Sequence, residues 1–271
     1  MKTSGSEVSA DAKTSGSEVS AEADAREARV KADRPAGAND DELSIVYRLR
    51  ADDGESAEFV IRLDRDTLAL KATPRADPPF WVRLEHHRCE GCPLDAAANP
   101  LCPMAAALAD LLDFARGLVS HSGLQMVVIT PEREVRAETS AQRALSSLMG
   151  LVMATCACPD VAWLRPMARF HLPLASEEET IYRAASMYLL AQYFRQRAGA
   201  EPDFGLDGLA QRYQRLHIIN VAMAQRLRSV VDKDAPVNAV ILLDLFAKAL
   251  PSSVRDSLGE LEYLFHPYGQ A

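Results

Sequence analysis

Three of the chain's five cysteines and two of its six histidines lie within eighteen residues, HHRCEGCPLDAAANPLCP, at positions 86–103. Cys89 and Cys92 form a C-x2-C pair, and Cys102 follows after nine intervening residues. A C-x2-C turn lets two thiolates bind one metal ion while its backbone amides point at the sulfurs. Gly91, inside the pair, eases such a tight turn. The segment therefore predicts a metal site, because thiolates are the soft ligands of zinc and of iron–sulfur clusters.

A structural zinc site has four ligands, so the segment needs one more from elsewhere in the chain. The other two cysteines form a C-x-C pair in ATCACPD, at positions 156 and 158. We predict Cys158 as the fourth ligand, with Cys156, His86 and His87 as the alternatives. The predicted ligand set is Cys89, Cys92, Cys102 and Cys158, which would join the first half of the chain to the second.

Proline directly follows three of the cysteines, at positions 93, 103 and 159. Proline is favoured at the first position of a helix, so we predict that Cys102 caps the helix that begins PMAAALADLLDFA. A sulfur at the amino end of a helix is stabilised as thiolate, which suits a metal ligand and a reactive thiol equally well. Cys-Pro also occurs at iron–sulfur ligands. Zinc, an iron–sulfur cluster and metal-free thiols thus remain open, with zinc favoured.

Other catalytic signatures are absent from the sequence, which contains no HExxH, GxGxxG, P-loop or GxSxG motif. One stretch, WLRPMARFHLPLA at 163–175, places Arg165, Arg169 and His171 among apolar residues and prolines just after the C-x-C pair. It has two interpretations, an anion-binding or catalytic segment beside the metal, or a structural connector whose arginines are paired with backbone or acids. We favour the connector.

The composition indicates a globular protein. A net charge of -8 and a pI near 5.3 argue against general binding to nucleic acid or to anionic membranes. We see neither the apolar core of a signal peptide nor about 18 uninterrupted apolar residues that would span a membrane. The simplest expectation is a cytoplasmic protein, and in that compartment clustered cysteines indicate metal or redox chemistry rather than disulfides.

The pattern along the chain predicts an α+β protein in three parts. Residues 1–42 are polar and contain KTSGSEVSA twice, at an 11-residue period, which predicts a disordered tail. Residues 43–138 are predicted to be mainly β, with the cysteine cluster and one helix. LSIVYRL and AEFVIRL alternate around an Asp-Gly turn and predict a hairpin, LQMVVIT and EVRAE a further pair, and TLALKA and FWVRLE additional strands.

Residues 139–271 are predicted to form a helical bundle. Ser176 and Glu179 form a capping box before a helix that runs to about Arg197. Apolar residues from Leu206 to Val230 then repeat at spacings of three and four, with Asn220 at one inward position. This helix is either an inner member of an intramolecular bundle, which we favour, or a surface through which the protein forms a homo-oligomer.

The chain resembles an uncharacterised family of bacterial proteins, known as a domain of unknown function. The likeness lies in HRCEGCPL, the following LCP, QRALSSLMGLVMA with its CP, RPMARFHLPLASEEETIYRAASMYLLAQYFR and LLDLFAKALP, and extends from about Leu43 to Tyr268. In that family a cysteine tends to stand where Cys158 does, whereas Cys156 is often replaced. The resemblance thus implies Cys158 rather than Cys156 as the fourth ligand, and it implies no activity.

Two functions follow from the sequence. The first is a non-enzymatic interaction or regulatory protein, in which zinc fastens a small sheet to a helical bundle that binds a protein partner. The second is a redox protein or enzyme that uses an iron–sulfur cluster or the thiolate of Cys102. We favour the first, because the sequence shows no cofactor loop and no acid–base pair at a recognisable spacing.

Overall fold

The computed structural model describes residues 41–269, without the side chains of 249–258 and 260. The predicted disordered tail with its repeat lies outside the described residues, apart from its last two positions.

The predicted hairpin is confirmed. Strand β1 (Glu42–Ala51) pairs antiparallel with β2 (Ser56–Asp64), in a register that places Tyr47 opposite Phe59. Gly54 in the connecting turn has a φ of 92°, a conformation that glycine adopts without strain. Alternate residues of β1 are buried, as the period-two pattern requires.

The second predicted pair is also confirmed and completes a four-stranded antiparallel sheet. Strand β3 (Gly123–Ile129) pairs with β1 and with β4 (Glu134–Ser140), giving the order β2-β1-β3-β4.

The predictions of additional strands at TLALKA and FWVRLE are wrong. Leu70 makes only an isolated bridge with Leu63, and Phe80–Val82 is a short 3-10 helix. Pro79 directly precedes this turn and has no N–H to donate to a neighbouring strand. Trp81 and Val82 are both buried, which the alternating faces of a half-buried strand do not allow.

Helices follow and flank the sheet, so the α+β class is confirmed. Helix α1 (Pro103–Ala115) lies between β2 and β3 in the chain. After the sheet come α2 (Ala141–Thr155), a 3-10 helix (Pro159–Leu164), α3 (Arg165–Arg169), α4 (Glu177–Arg197), α5 (Asp207–Arg228), α6 (Ala235–Glu260) and a final 3-10 helix (Glu262–Tyr268).

One main core joins the sheet to the helices. One cluster of buried apolar residues contains the buried face of β1, residues of α1 and α2 such as Leu108 and Leu145, and the inward side of α5 and α6. A smaller cluster joins α4 to the first half of α5. Burial of these apolar faces is the main favourable term in folding.

Helix α5 is an inner member of the chain's own bundle, as favoured from its spacing. Leu209, Tyr213, Asn220 and Leu227 are buried on it, and α6 packs along its length. Asn220 therefore lies inside the chain rather than on a face open to a second copy.

Among the described residues, no single helix has both the length and the apolar composition needed to cross a membrane. Only α2 together with residues 159–169, joined at a 113° bend, meets those two criteria as a pair.

A hydrogen-bonded group connects the sheet to the segment before α4. The buried hydroxyl of Tyr47 lies 2.9 Å from Ser147 Oγ and also contacts His171 Nε2. Burial, with the nearby charge of Arg183, lowers the pKa of His171 to about 3. The ring is therefore neutral over the physiological range.

This histidine predicts a pH dependence of stability. Its folded pKa of about 3 lies below its ordinary value of 6.5, so between these values the unfolded chain binds a proton that the folded chain does not. The free energy of unfolding should fall as pH is lowered from 6.5 towards 3, by up to about 1.4 kcal/mol per pH unit from this group. Urea unfolding at pH 7, 6 and 5 should show a steeper decline for the wild type than for His171→Gln. Parallel declines would contradict the assignment.

The capping box gives a second prediction. Ser176 Oγ accepts a hydrogen bond from the Glu179 N–H (3.1 Å), and Glu179 Oε2 accepts one from the Ser176 N–H (2.7 Å), as expected from the sequence. Ser176→Ala should lower the free energy of unfolding by about 1 kcal/mol, because it leaves an amide of the first turn without an acceptor. Ser176→Asp keeps an acceptor there and is the matched control, measured by the same urea titration. Equal losses in both variants would show that the cap does not stabilise α4.

Candidate functional site

Four cysteines line one small cavity of about 30 Å³. They come from three separate parts of the chain, and they are Cys89, Cys92, Cys102 and Cys158. A cavity of this volume has room for a species of about the size of one water molecule. The structure thus brings the four residues of the predicted ligand set to the walls of one space.

The C-x2-C pair forms a tight turn. The Cys92 N–H donates to the Cys89 carbonyl (3.2 Å), and Gly91 has a φ of 65°. A side chain at Gly91 would be strained by this φ, and its Cβ would lie only 3.3 Å from Arg215 Nη1. The glycine is therefore required both by the backbone of the turn and by the arginine packed against it.

Cys102 and Cys158 occupy equivalent positions, each just before a helix whose first residue is proline. Cys102 precedes α1, as predicted, and its N–H donates to the Val82 carbonyl (2.8 Å). Cys158 precedes the 3-10 helix Pro159–Leu164. Neither side chain forms a capping hydrogen bond.

Two arginines of α5 bring positive charge to these cysteines. Arg226 lines the cavity, is only 2% exposed, and donates to the carbonyls of Trp81, Arg83 (2.7 Å) and Leu84 (3.3 Å). Arg215 Nη2 lies 3.9 Å from Cys89 Sγ and 2.8 Å from Asp160 Oδ2. Burial lowers the pKa of Arg226, and nearby thiolates would oppose that effect.

The same burial acts on the thiols in the opposite sense. It raises the pKa of Cys89, and it raises the pKa of Cys158 to about 12, because an apolar environment disfavours a thiolate. These two side chains therefore stay protonated at neutral pH unless a cation compensates the charge. In the described part of the chain, no three His, Cys, Asp or Glu side chains already stand in a metal-binding arrangement.

The alternative fourth ligands differ in position. Cys156 is buried outside the cavity wall, and its Sγ donates to the Met153 carbonyl (3.1 Å). His86 Nε2 lies 2.9 Å from Ser229 Oγ, whereas His87 lines the cavity. All five cysteines are free thiols. Of the alternatives, His87 alone reaches the cavity.

The stretch after the C-x-C pair does not reach the cysteine cavity. Arg169 forms an ion pair with Glu132 (3.0 Å), and Arg165 donates to the Thr67 carbonyl (3.4 Å). His171 binds Tyr47, as described above. These contacts agree with the connector interpretation, in which the arginines are paired with backbone or acids.

Arg215 and Arg226 were not among the residues predicted from the sequence. Residues 215, 219, 223 and 226 are spaced by four, four and three and so share one face of a helix. Spacing alone does not distinguish arginines on such a face from solvated ones. What the sequence could not tell is that this face meets the cysteine segment.

Comparison with known proteins gives one match. No curated protein and no solved structure matches the chain. A family model described as "Domain of unknown function (DUF6901)" matches residues 45–266, which is most of the chain and nearly all of its described part. The resemblance to a domain of unknown function noted from the sequence is thereby confirmed, and the chain belongs to the DUF6901 family.

Proposed function

We propose that Cys89, Cys92, Cys102 and Cys158 bind one structural zinc ion, in a non-enzymatic protein whose helical part binds a protein partner. The observation that carries the proposal is that all four cysteines, from three segments of the chain, line one cavity. Four thiolates are a ligand set that zinc takes in closed structural sites. Such a site would need rotation of the thiol side chains towards a common point.

The size of the cavity favours zinc over an iron–sulfur cluster. About 30 Å³ suits a single ion, whereas a cluster adds several iron and sulfide atoms to the same four ligands. The raised pKa values of Cys89 and Cys158 argue against these two thiols as redox nucleophiles, because such a nucleophile must be a thiolate in the metal-free protein.

The charges around the cavity suit this ion. Four thiolates and one Zn²⁺ carry a net charge of −2, which is costly to bury alone. The guanidinium of Arg226 lines the cavity, and that of Arg215 lies beside Cys89. The two arginines would offset the charge of the complex.

The ligand chemistry favours a structural over a catalytic ion. A catalytic zinc site keeps one position open to water and has an acid or base nearby. Four cysteines fill every position, and among the described residues no Asp or Glu lines this cavity, whose one histidine is His87. The ion would supply folding free energy by fastening the segment 80–102 to α1 and to the 3-10 helix after Cys158.

An exposed apolar face of α4 supports the interaction part of the proposal. Five of its large apolar residues are exposed and lie on one broad side of the helix, and they are Tyr182, Leu189, Leu190, Tyr193 and Phe194. Exposed apolar patches of this kind are typical of surfaces that meet another protein. The partner would therefore be apolar where it covers α4.

The zinc proposal predicts the metal content of four variants. Cys89→Ser and Cys158→Ser should each lower zinc from about one ion per chain to well below half, because serine is a poor ligand for zinc. Cys156→Ser is the matched control, since Cys156 is buried nearby but lies outside the cavity wall. Arg226→Met should retain zinc with weaker affinity. Metal is measured by elemental analysis of protein purified without a metal-affinity tag.

Metal removal adds a measurement of stability. A chelator should lower the melting temperature of the wild type and of Cys156→Ser, and should change that of Cys89→Ser much less. Iron with matching acid-labile sulfide would overturn the choice of zinc. Wild-type protein with neither metal, or a Cys156→Ser variant that loses zinc as Cys158→Ser does, would overturn the ligand set.

A further inference from the structure

A second, larger cavity of about 450 Å³ lies among the helices. Its walls come from α2, from the segment between Val161 and Ala175, and from α4, α5 and α6. Most of the lining is apolar, including Leu151, Leu164, Leu216 and Phe246. The exposed residues Arg143 and Glu177 also line it, so it reaches solvent at the start of α4. Its volume lies in the range of small-molecule sites.

Asn220 places an unpaired amide on this cavity. Its side chain is 1% exposed and belongs to the lining. Neither Oδ1 nor Nδ2 has a hydrogen-bond partner among the described residues. A buried amide without partners is costly, and native structures contain few of them. A group that both donates and accepts hydrogen bonds is thus required at this position.

Two other polar groups of the lining are already engaged. Ser147 Oγ lies 2.9 Å from the Tyr47 hydroxyl and accepts from the Leu174 N–H (3.2 Å). Arg183 Nη2 donates to the carbonyls of Met167 and Phe170, each at 2.9 Å. Asn220 therefore differs from these two neighbours, because neither atom of its amide is bonded to a described residue.

The position of Asn220 excludes two structural roles. An inward asparagine can fix the register of helices in an oligomer by pairing with its equivalent in a second copy. Here it is buried inside a single chain and faces a cavity. It also does not bond to a carbonyl of its own or of a neighbouring described helix. Neither role therefore satisfies the amide of Asn220.

We propose that this cavity binds a largely apolar small molecule through a neutral carboxamide or lactam group, which pairs with the amide of Asn220. Such a group offers one donor to Oδ1 and one acceptor to Nδ2, so that both atoms of Asn220 are satisfied together. The remainder of the molecule packs on the apolar walls.

A carboxylate fits the site less well. It would accept from Nδ2 but has no hydrogen to donate to Oδ1. Arg183 could attract it, but this guanidinium is held by two carbonyls, and Glu177 and Glu179 lie near the same end of the cavity. A purely apolar molecule would leave both amide atoms unpaired. The site should therefore bind an amide more tightly than a carboxylate or a hydrocarbon.

Three probes with the same apolar body test this ranking: 4-butylbenzamide, 4-butylbenzoate and butylbenzene. Calorimetric titration of the full chain should show the benzamide binding at least about tenfold more tightly than either of the others. Benzoate binding as tight as benzamide binding would overturn the choice of a neutral group. No saturable binding of any probe at its solubility limit would overturn the site itself.

Asn220→Leu distinguishes the contribution of the amide to binding from that of the apolar walls. The variant should still bind butylbenzene. Its affinity for the benzamide should fall to within about twofold of its affinity for butylbenzene. Its melting temperature without ligand should rise by about 3–6 °C, because a costly buried amide is removed. A variant that folds and retains the tenfold preference would contradict the role of Asn220.

A second variant reduces the space and leaves the amide in place. Ala154 is buried and lines the cavity, so Ala154→Leu should weaken binding of benzamide and butylbenzene alike. Unchanged binding of both probes, in a variant with wild-type helical content, would place them elsewhere on the protein. Zinc content is measured in parallel, since neither substitution touches a predicted ligand and a loss of metal would indicate misfolding rather than a failed proposal.

Discussion

The guanidinium of Arg226 holds together the part of the molecule that has the least regular structure. Between β2 and α1 the described chain contains only a short 3-10 helix and isolated bridges, so few of its carbonyls bond to a sheet or helix. Arg226 donates to three of them, at Trp81, Arg83 and Leu84, from the inner side of α5. Buried carbonyls need donors, and a fork of five N–H groups can serve several at once. The segment before the cysteine turn is thereby fastened to α5, on one side of the cavity that the cysteines line.

Helix α5 also separates the two cavities. Ile219 and Met223 face the cysteines, whereas Leu216 and Asn220 line the larger space. The 3-10 helix after α2 and the residue before it also contribute to both cavities. Cys158 lines the smaller cavity and Val161 the larger. Helix α5 is thus a wall that the two spaces share.

Local rules in the sequence were enough for much of this fold. Alternation around Asp53-Gly54 gave the hairpin, and the spacing of Ser176 and Glu179 gave the start of α4, because each depends on neighbours a few residues away. The strand predicted for FWVRLE was wrong because its structure depends on residues that are far away in the sequence. Its apolar residues satisfy a strand pattern, but their burial comes from α1 and α5, which are distant in sequence. A pattern of apolar residues records burial and does not record which element provides it.

The residues of the candidate sites also differ in whether the sequence alone could identify them. Cysteine is a rare residue, so four ligands could be proposed from type and spacing, and the proline after Cys102 located it at the start of a helix. Arginine and asparagine are common residues whose meaning depends on what surrounds them. Arg226 could be distinguished from a solvated arginine only by the carbonyls it meets, and Asn220 from a register asparagine only by the cavity it faces. Its unpaired amide is costly in a folded core, and that cost is the physical reason for looking to a ligand.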